Sequence, residues 1–170
     1  MLTEGGAIKL PAGCSTLHHE IELGIVIGSK CIKVSEEDVM SHVGGYLLAL
    51  DMTARDFQDE AKKKGHPWTL AKGFDTSCPI SSFIPKEQIA DPHNIELWCS
   101  VNGIIKQKGC TKDMIFTLPS LISYISTYFT LDEGDIILTG TPAGVGPVKP
   151  GDIIEGGITG VIQMSFPVQS

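Results

Sequence analysis

The chain has 170 residues, 42% of them hydrophobic, which suits one globular domain with its own core. Its 13 basic and 20 acidic residues give a formal net charge of −7, which argues against nucleic-acid binding because phosphate contacts need a basic surface. No apolar stretch approaches the roughly 20 residues of a membrane-spanning helix, so we expect no membrane partner. Five widely spaced cysteines without a C-x-x-C pair argue against a zinc ribbon and a disulfide scaffold.

The first half of the chain predicts two strands and two short helices. Apolar residues alternate after Glu20, which is typical of a half-buried strand. The sequences Ser35-Glu-Glu-Asp38 and Thr53-Ala-Arg-Asp56 both match a capping box, the usual start of a helix. The predicted elements are a strand over residues 20–28 with Ile21, Leu23, Ile25 and Ile27 on one face, a short helix stopped by Gly44-Gly45, a buried strand over residues 45–51 and a helix running to Gly65.

The second half predicts hairpins around one helix. Asn102-Gly103 stands between alternating segments, which is the strongest short signal for a β-hairpin. Leu118, Ile122, Ile125 and Phe129 are spaced as one helix face, with Pro119 in the first turn. Next come a predicted strand over residues 135–139, a glycine-rich loop over residues 140–146, and a hairpin or two strands with glycine turns over residues 151–168. Since the helices are few and do not alternate regularly with the strands, we expect a mainly β single domain (α+β) over residues 1–170, a sandwich or roll with short packed helices.

Three carboxylates form a candidate metal site. Residues i and i+2 of a strand point to the same face, so Glu20 and Glu22 project together. Asp51 adds a third carboxylate at the end of the second buried strand. Three oxygen ligands suit a hard cation such as Mg²⁺ or Mn²⁺ and leave about three of six octahedral positions open. Spacing alone leaves another interpretation open, in which the glutamates line an exposed strand face and Asp51 caps a helix.

Two further motifs favour ordinary roles. His18 and His19 are adjacent on a strand and face opposite ways, so a structural or exposed role is favoured over a shared zinc ion. The glycine-rich loop lacks the Gly-Lys-Ser/Thr ending of a phosphate-binding loop, and Pro142 removes a backbone donor.

Four co-linear motifs resemble the fumarylacetoacetate hydrolase family, and most of all its eukaryotic acylpyruvase and oxaloacetate decarboxylase members. The motifs are His18-His-Glu-Ile-Glu-Leu-Gly24, Leu50-Asp-Met-Thr-Ala-Arg-Asp56, Trp68-Thr-Leu-Ala-Lys72 and Leu138-Thr-Gly-Thr-Pro142 followed by Gly144-Val145. They cover essentially the whole chain in the expected order. The resemblance implies a β-sandwich roll with a mixed sheet, a homodimer, and a Mg²⁺ or Mn²⁺ ion on Glu20, Glu22 and Asp51.

The resemblance also implies substrate-contact positions, among which Lys72 and Gln58 would be catalytic. Each suits its role chemically: an arginine holds a carboxylate with two hydrogen bonds, and a lysine offsets enolate charge or positions water. Thr141, on the glycine-rich loop, would offer its hydroxyl and its backbone N–H to a carboxylate. The implied substrate contacts are Arg55, Gln58, Lys72 and Thr141.

The resemblance implies metal-dependent cleavage of the C3–C4 bond of small 2-oxo acids, by an acylpyruvate hydrolase or an oxaloacetate decarboxylase. It also implies that oxalate-like anions inhibit the enzyme and that the enzyme is mitochondrial or cytoplasmic. Family hydrolases activate water with a His-x-x-Glu pair on a lid helix in a preceding segment, which we expect this chain to lack. We therefore expect decarboxylation to be favoured over hydrolysis. Two alternatives stay open: a hydratase or tautomerase of the same family, and a non-catalytic metal- or oxalate-binding dimer partner.

Overall fold

The computed structural model describes residues 1–170 and consists mainly of strands, as predicted. No helix is both long enough and apolar enough to cross a membrane. The strands are β1 (Ile8–Lys9), β2 (Leu17–His19), β3 (Ile21–Ile27), β4 (Val43–Leu50), β5 (Thr53–Ala54), β6 (Ile84–Pro85), β7 (Glu96–Val101), β8 (Ile104–Cys110), β9 (Ile136–Leu138), β10 (Gly146–Val148), β11 (Ile153–Ile158) and β12 (Ile162–Gln169). The α-helices are α1 (Arg55–Lys64), α2 (Thr69–Lys72) and α3 (Leu118–Tyr128), and short 3₁₀ helices span Val39–His42, Lys86–Gln88 and Thr111–Asp113.

The strands form three sheets around one hydrophobic core of 28 buried residues. The largest sheet has the order β1-β12-β11-β7-β8, the second has the order β6-β4-β3-β9, and the smallest has the order β10-β2-β5. Neighbouring strands are antiparallel except β1 and β12, which are parallel. The expected mixed, mainly β architecture with few short helices is therefore confirmed.

The β3–β4 pair forms the centre of the fold. The predicted apolar face of β3 is buried, since none of its four residues is more than 1% exposed. Ile21 pairs with Leu50 at one end of the two strands, and Ile27 pairs with Val43 at the other, after a register shift between Val26 and Ile27. This register brings the residues just before β3 and just after β4 side by side, which matters for the site described below.

In the second half of the chain, the predicted hairpin turn and the predicted helix are confirmed, but Phe129 does not belong to that helix. Asn102 and Gly103 have φ of 52° and 75°, as a tight hairpin turn between β7 and β8 requires. The predicted helix is α3, which has Pro119 in its first turn and is capped by Thr117, whose hydroxyl accepts a hydrogen bond from the Ser120 N–H at 3.3 Å. Phe129, however, lies beyond the helix in an extended conformation and is 69% exposed, so it leaves the predicted apolar face.

Two local predictions from the first half are wrong. Gly44 and Gly45 do not stop a helix: they lie inside β4, where the backbones of Gly28 and Ile84 approach too closely for a Cβ. The preceding helix is a single 3₁₀ turn. Thr53 does not cap α1, because its hydroxyl donates to the Asp51 carbonyl oxygen at 3.0 Å and the cap position belongs to the next residue.

Candidate metal centre and substrate site

Three acidic side chains converge at one end of the β3–β4 pair. Glu20 immediately precedes β3, Glu22 lies within it, and Asp51 immediately follows β4. The pairing of Ile21 with Leu50 places Asp51 beside Glu20, whose carbonyl oxygen accepts a hydrogen bond from the Asp51 N–H at 2.8 Å. One oxygen of each carboxylate lies within 4.8 Å of the other two. The structure therefore brings together the three residues expected to bind a metal ion.

Two cationic side chains neutralise this carboxylate cluster. The Lys72 ammonium at the end of α2 donates to Glu20 Oε2 at 2.9 Å and to Asp51 Oδ2 at 2.5 Å. It also donates to Thr53 Oγ1 at 2.7 Å. Arg55, the first residue of α1, donates from Nη2 to Glu20 Oε1. These side chains are largely buried, so each charge needs a partner, and the predicted substrate contacts Lys72 and Arg55 supply it.

The two cations act unequally on the carboxylates. Burial tends to raise the pKa of Glu20, but the hydrogen bonds and charges of Lys72 and Arg55 outweigh it, so the pKa lies below its ordinary value. Asp51 has no arginine partner. Burial therefore outweighs Lys72, the nearby Glu20 charge adds to the effect, and the pKa of Asp51 is raised.

Glu22 is the most perturbed of the three. It is 4% exposed, and its Oε2 accepts a hydrogen bond from the Gly140 N–H at 2.6 Å. Burial, together with the charges of Asp51 and Glu20, raises its pKa to about 7 in spite of that hydrogen bond. Like charges held this close together favour either a shared proton or a bound cation.

The donor set fits a hard divalent cation. Mg²⁺ and Mn²⁺ prefer carboxylate oxygens as ligands, and the cluster contains no cysteine or histidine ligand. In an octahedral Mg²⁺ site adjacent ligands lie about 3 Å apart and opposite ligands about 4.2 Å apart. Oxygens that lie within 4.8 Å of one another are therefore close enough to share one ion after side-chain movements of about 1–2 Å.

The first turn of α1 directs Arg55 and Gln58 towards the cluster. Gln58 is 3% exposed, and its Oε1 accepts from Arg55 Nη1 at 2.9 Å and from Lys62 Nζ at 3.2 Å. Arg55 Nε donates to His18 Nδ1 at 3.2 Å, so that nitrogen carries no proton. Burial and then the Arg55 charge lower the pKa of His18, in keeping with a neutral acceptor. His18 thus holds the arginine in place.

Thr141 lies beside the cluster on the glycine-rich loop, but its hydroxyl is already engaged. The preceding Gly140 donates its N–H to Glu22. The Thr141 hydroxyl donates to the Ile21 carbonyl oxygen at 2.7 Å and accepts from Gln107 Nε2 at 2.8 Å. Its one proton is therefore not free for a carboxylate, which differs from the sequence expectation. The Thr141 N–H makes no hydrogen bond within the chain.

His19 has the structural role that the sequence favoured. It is 1% exposed, and its Nδ1 lies 2.8 Å from Gln107 Oε1. The sequence does contain two His-x-x-Glu patterns, at His19-Glu-Ile-Glu22 and His93-Asn-Ile-Glu96. The first runs from β2 into β3 and the second from a turn into β7, so neither lies on a helix.

Three contributors to the site were missed at the level of sequence. Gln107 lies in a strand whose residues are mostly exposed, with no motif around it. Thr53 matched a capping box and so suggested a different role. The Gly140 N–H is a backbone group that any residue but proline could supply. None of the three has a sequence signal that would have found it without the fold.

The chain matches the family model "Fumarylacetoacetate (FAA) hydrolase C-terminal" over residues 1–169. It is 60% identical over 166 residues to the oxaloacetate tautomerase FAHD1, mitochondrial, of Homo sapiens, covering 98% of this chain and 75% of that protein. It is 59% identical over 169 residues to the oxaloacetate decarboxylase, mitochondrial, of Dictyostelium discoideum, covering 99% of this chain and 78% of that protein.

A solved structure gives the same fold with a ligand present. It is the fumarylpyruvate hydrolase of Pseudomonas aeruginosa in complex with Mn²⁺ and pyruvate, similar to this chain with a TM-score of 0.94 and 34% sequence identity. The alignment covers 99% of this chain and 73% of the hydrolase. By family model, sequence identity and fold, this chain belongs to the fumarylacetoacetate hydrolase family.

Proposed function

We propose that this chain is a divalent-metal-dependent enzyme of small 2-oxo acids that decarboxylates oxaloacetate by breaking its C3–C4 bond, and that residues 1–170 form its single catalytic domain. One observation carries the proposal: three carboxylates from two strands converge within 4.8 Å and are faced by a lysine and an arginine. This arrangement offers a cation site and anion-binding groups side by side. The oxaloacetate-related names of the relatives at about 60% identity agree with it.

We propose Glu20, Glu22 and Asp51 as the metal ligands and Mg²⁺ or Mn²⁺ as the ion. When bound, a divalent ion acts as a Lewis acid that polarises the carbonyl of a chelating 2-oxo acid. Glu22 supports this choice, because a buried carboxyl with a pKa of about 7 gives up its proton readily to a cation. The Mn²⁺ in the structure of the Pseudomonas aeruginosa relative agrees with the choice of ion.

The remaining site residues fit the handling of an anionic substrate. Arg55 presents a planar guanidinium suited to a carboxylate, and Gln58 lies 2.9 Å from it on the same helix face. The Lys72 ammonium donates to Glu20, Asp51 and Thr53, so it lies against the proposed metal ligands. There it would stabilise the negative charge of an enolate formed from a substrate that the metal ion holds. Thr141 contributes from the glycine-rich loop. Lys72 and Gln58 are the proposed catalytic residues.

Tautomerisation of oxaloacetate is the second candidate. The names of the human relative and of several others contain this activity, and the reaction leaves the C3–C4 bond intact. It needs proton transfer between carbon and oxygen but no attacking water. Acylpyruvate hydrolysis needs an activated water as well, and it is the third activity that the assay below compares.

We further propose that the chain forms a homodimer, that oxalate-like anions inhibit it, and that it works in mitochondria. Ile115 and Phe116 are 93% and 61% exposed, and neighbouring apolar side chains of this size favour an interface. Oxalate has the two adjacent oxygens through which a 2-oxo acid chelates a metal. The location follows the names of the relatives, which specify mitochondria.

The test is to incubate the chain with oxaloacetate and Mg²⁺ while following pyruvate formation and enol–keto exchange separately, with acetylpyruvate as a third substrate. Glu22→Gln removes a metal ligand and should abolish turnover above the metal-only background. Glu133→Gln makes the same chemical change in an exposed turn and should leave turnover unchanged. Exchange without pyruvate would favour the tautomerase, and efficient acetylpyruvate cleavage alone would contradict the preference for decarboxylation. Absence of every activity, with oxalate binding retained, would favour a non-catalytic binding protein.

A further inference from the structure

Gln107 lies at the centre of the buried contacts between the start of β3 and the glycine-rich loop. It is 1% exposed, on β8. Its Oε1 accepts a hydrogen bond from the Ile21 N–H at 3.1 Å. Its Nε2 donates to Thr141 Oγ1 and to the Pro142 carbonyl oxygen, both at 2.8 Å. One side chain therefore joins Ile21, which lies between the proposed metal ligands Glu20 and Glu22, to the loop beside them.

The direction of each bond in this network is fixed by its ends. The Ile21 N–H can only donate and the Pro142 carbonyl can only accept, so the orientation of the Gln107 amide is determined. Thr141 Oγ1 must then accept from Nε2, and it gives its one proton to the Ile21 carbonyl oxygen. The free donor of Thr141 is its backbone N–H.

β8 is also shaped to receive the loop on both sides of Gln107. A Cβ on Gly109 would lie 2.6 Å from Pro142 Cβ. A Cβ on Gly144, whose φ is +99°, would lie 2.0 Å from the Lys106 carbonyl oxygen. The loop backbone thus rests directly on β8, and its position depends on that strand.

We propose that Gln107 is a positioning residue, which fixes the glycine-rich loop against β3 so that Thr141 presents its backbone N–H, and not its hydroxyl, to the substrate carboxylate. This inference rests on the proposed function and assigns the loop's part in it. Both polar atoms of the Gln107 amide are already bonded to His19, Ile21 and the loop, so they are not available to a substrate or a metal ion. Its effect on substrate binding passes through Thr141.

Two substitutions test whether Gln107 affects substrate binding through Thr141. Gln107→Met removes the amide but keeps the side-chain length, and Thr141→Val removes the hydroxyl but keeps the N–H. Each should raise KM for oxaloacetate about tenfold at saturating Mn²⁺ while kcat changes by less than about threefold, the scale of one displaced hydrogen bond to a charged ligand. The double variant should be no worse than the poorer single variant, because both act through one loop position. Thr141→Ser restores the hydroxyl and should recover KM.

Hydrogen–deuterium exchange of the metal-free protein adds a measurement independent of activity. Gln107→Met should speed exchange across residues 139–146. Gln163→Met, the same change on the exposed face of β12, should leave both exchange and KM unchanged. If Gln107→Met does not fold, Gln107→Glu replaces it, since it keeps the size and the Oε1 acceptor and loses the two donors.

The possible outcomes distinguish a failure of the proposed function from a failure of the inference that Gln107 positions the loop. A wild-type chain without turnover would overturn the proposed function, and the exchange rates would still decide whether Gln107 holds the loop. An active wild type with a folded Gln107→Met variant of normal KM and normal exchange would overturn the inference alone. Additive increases of KM in the double variant would also overturn it, because they would mean that the Thr141 hydroxyl contacts the substrate independently of Gln107.

Discussion

Lowering the pH from about 8 to about 6 should weaken Mn²⁺ binding roughly tenfold, because Glu22 must lose its proton to become a ligand. With a pKa of about 7, Glu22 is about 90% ionised at the higher pH and about 10% ionised at the lower one. Glu20 stays ionised throughout, since Lys72 and Arg55 hold its pKa below its ordinary value against the effect of burial. Asp51, whose pKa burial also raises, acts in the same direction, so the tenfold change is the part that Glu22 contributes.

Isothermal titration calorimetry in buffers of different ionisation enthalpy measures both the affinity and the protons released. Near neutral pH we expect roughly half a proton per bound ion. Glu22→Gln should bind Mn²⁺ weakly and without this proton release, whereas Glu133→Gln should behave as the wild type. A dissociation constant that stays flat between the two pH values, with no proton release, would refute the reasoning.

The same carboxyl predicts the pH dependence of stability in the metal-free protein. The pKa of Glu22 is raised on folding from 4.5 to about 7, so the folded protein keeps a proton that the unfolded chain releases. Stability should therefore fall as the pH rises from about 4.5 to about 7, by up to about 3 kcal/mol. Glu22→Gln should remove this loss, which urea unfolding at several pH values would measure. A wild type that gains stability over the same range relative to Glu22→Gln would contradict this assignment.

Three further substitutions test the rest of the site and the loop. Lys72→Met should lower turnover at least about a hundredfold, yet bind Mn²⁺ no more weakly than the wild type in calorimetry, since the ammonium no longer competes for the carboxylates. Arg55→Lys should raise KM for oxaloacetate about tenfold in steady-state assays, because a lysine cannot reproduce the fork geometry of the guanidinium. Gly144→Ala should destabilise the protein by about 3 kcal/mol through strain and a clash with the Lys106 carbonyl, whereas Gly134→Ala, with a similar φ and open space, should cost about 1 kcal/mol in urea unfolding.

The centre of the fold could be predicted because its signals are local and repeated. The apolar alternation of β3 and the turn at Asn102-Gly103 each depend on residues close together in the chain. The same alternation is enough to put Glu20 and Glu22 on one side of the strand. Alternation does not predict that Ile21 pairs with Leu50, and it is this pairing that brings Asp51 beside the two glutamates.

The errors arise where distant contacts decide the role of a residue. Thr53 matches a capping box in sequence, but Lys72, which lies 19 residues further on, donates to its hydroxyl. Gln107 has no neighbouring motif, and its importance comes from residues 86 and 34 positions away, at Ile21 and Thr141. Its hydrogen-bond partners lie in two separate segments of the chain, and neither segment has a periodic pattern that points to Gln107. The part of the site that binds charge was therefore predictable, and the part that positions the loop was not.

The charge balance of the cluster explains why Lys72 should have opposite effects on metal binding and on turnover. Without a metal ion, three buried carboxylates are balanced by the Lys72 ammonium, the Arg55 guanidinium and, below a pH of about 7, a proton on Glu22. A divalent cation bound by the three carboxylates would displace that proton and weaken the hydrogen bonds that Glu20 and Asp51 accept from Lys72. The ammonium would then be available to an anionic substrate. We therefore propose that Lys72 stabilises the metal-free cluster and acts on the substrate when a cation is bound, so its loss should spare metal affinity and remove activity.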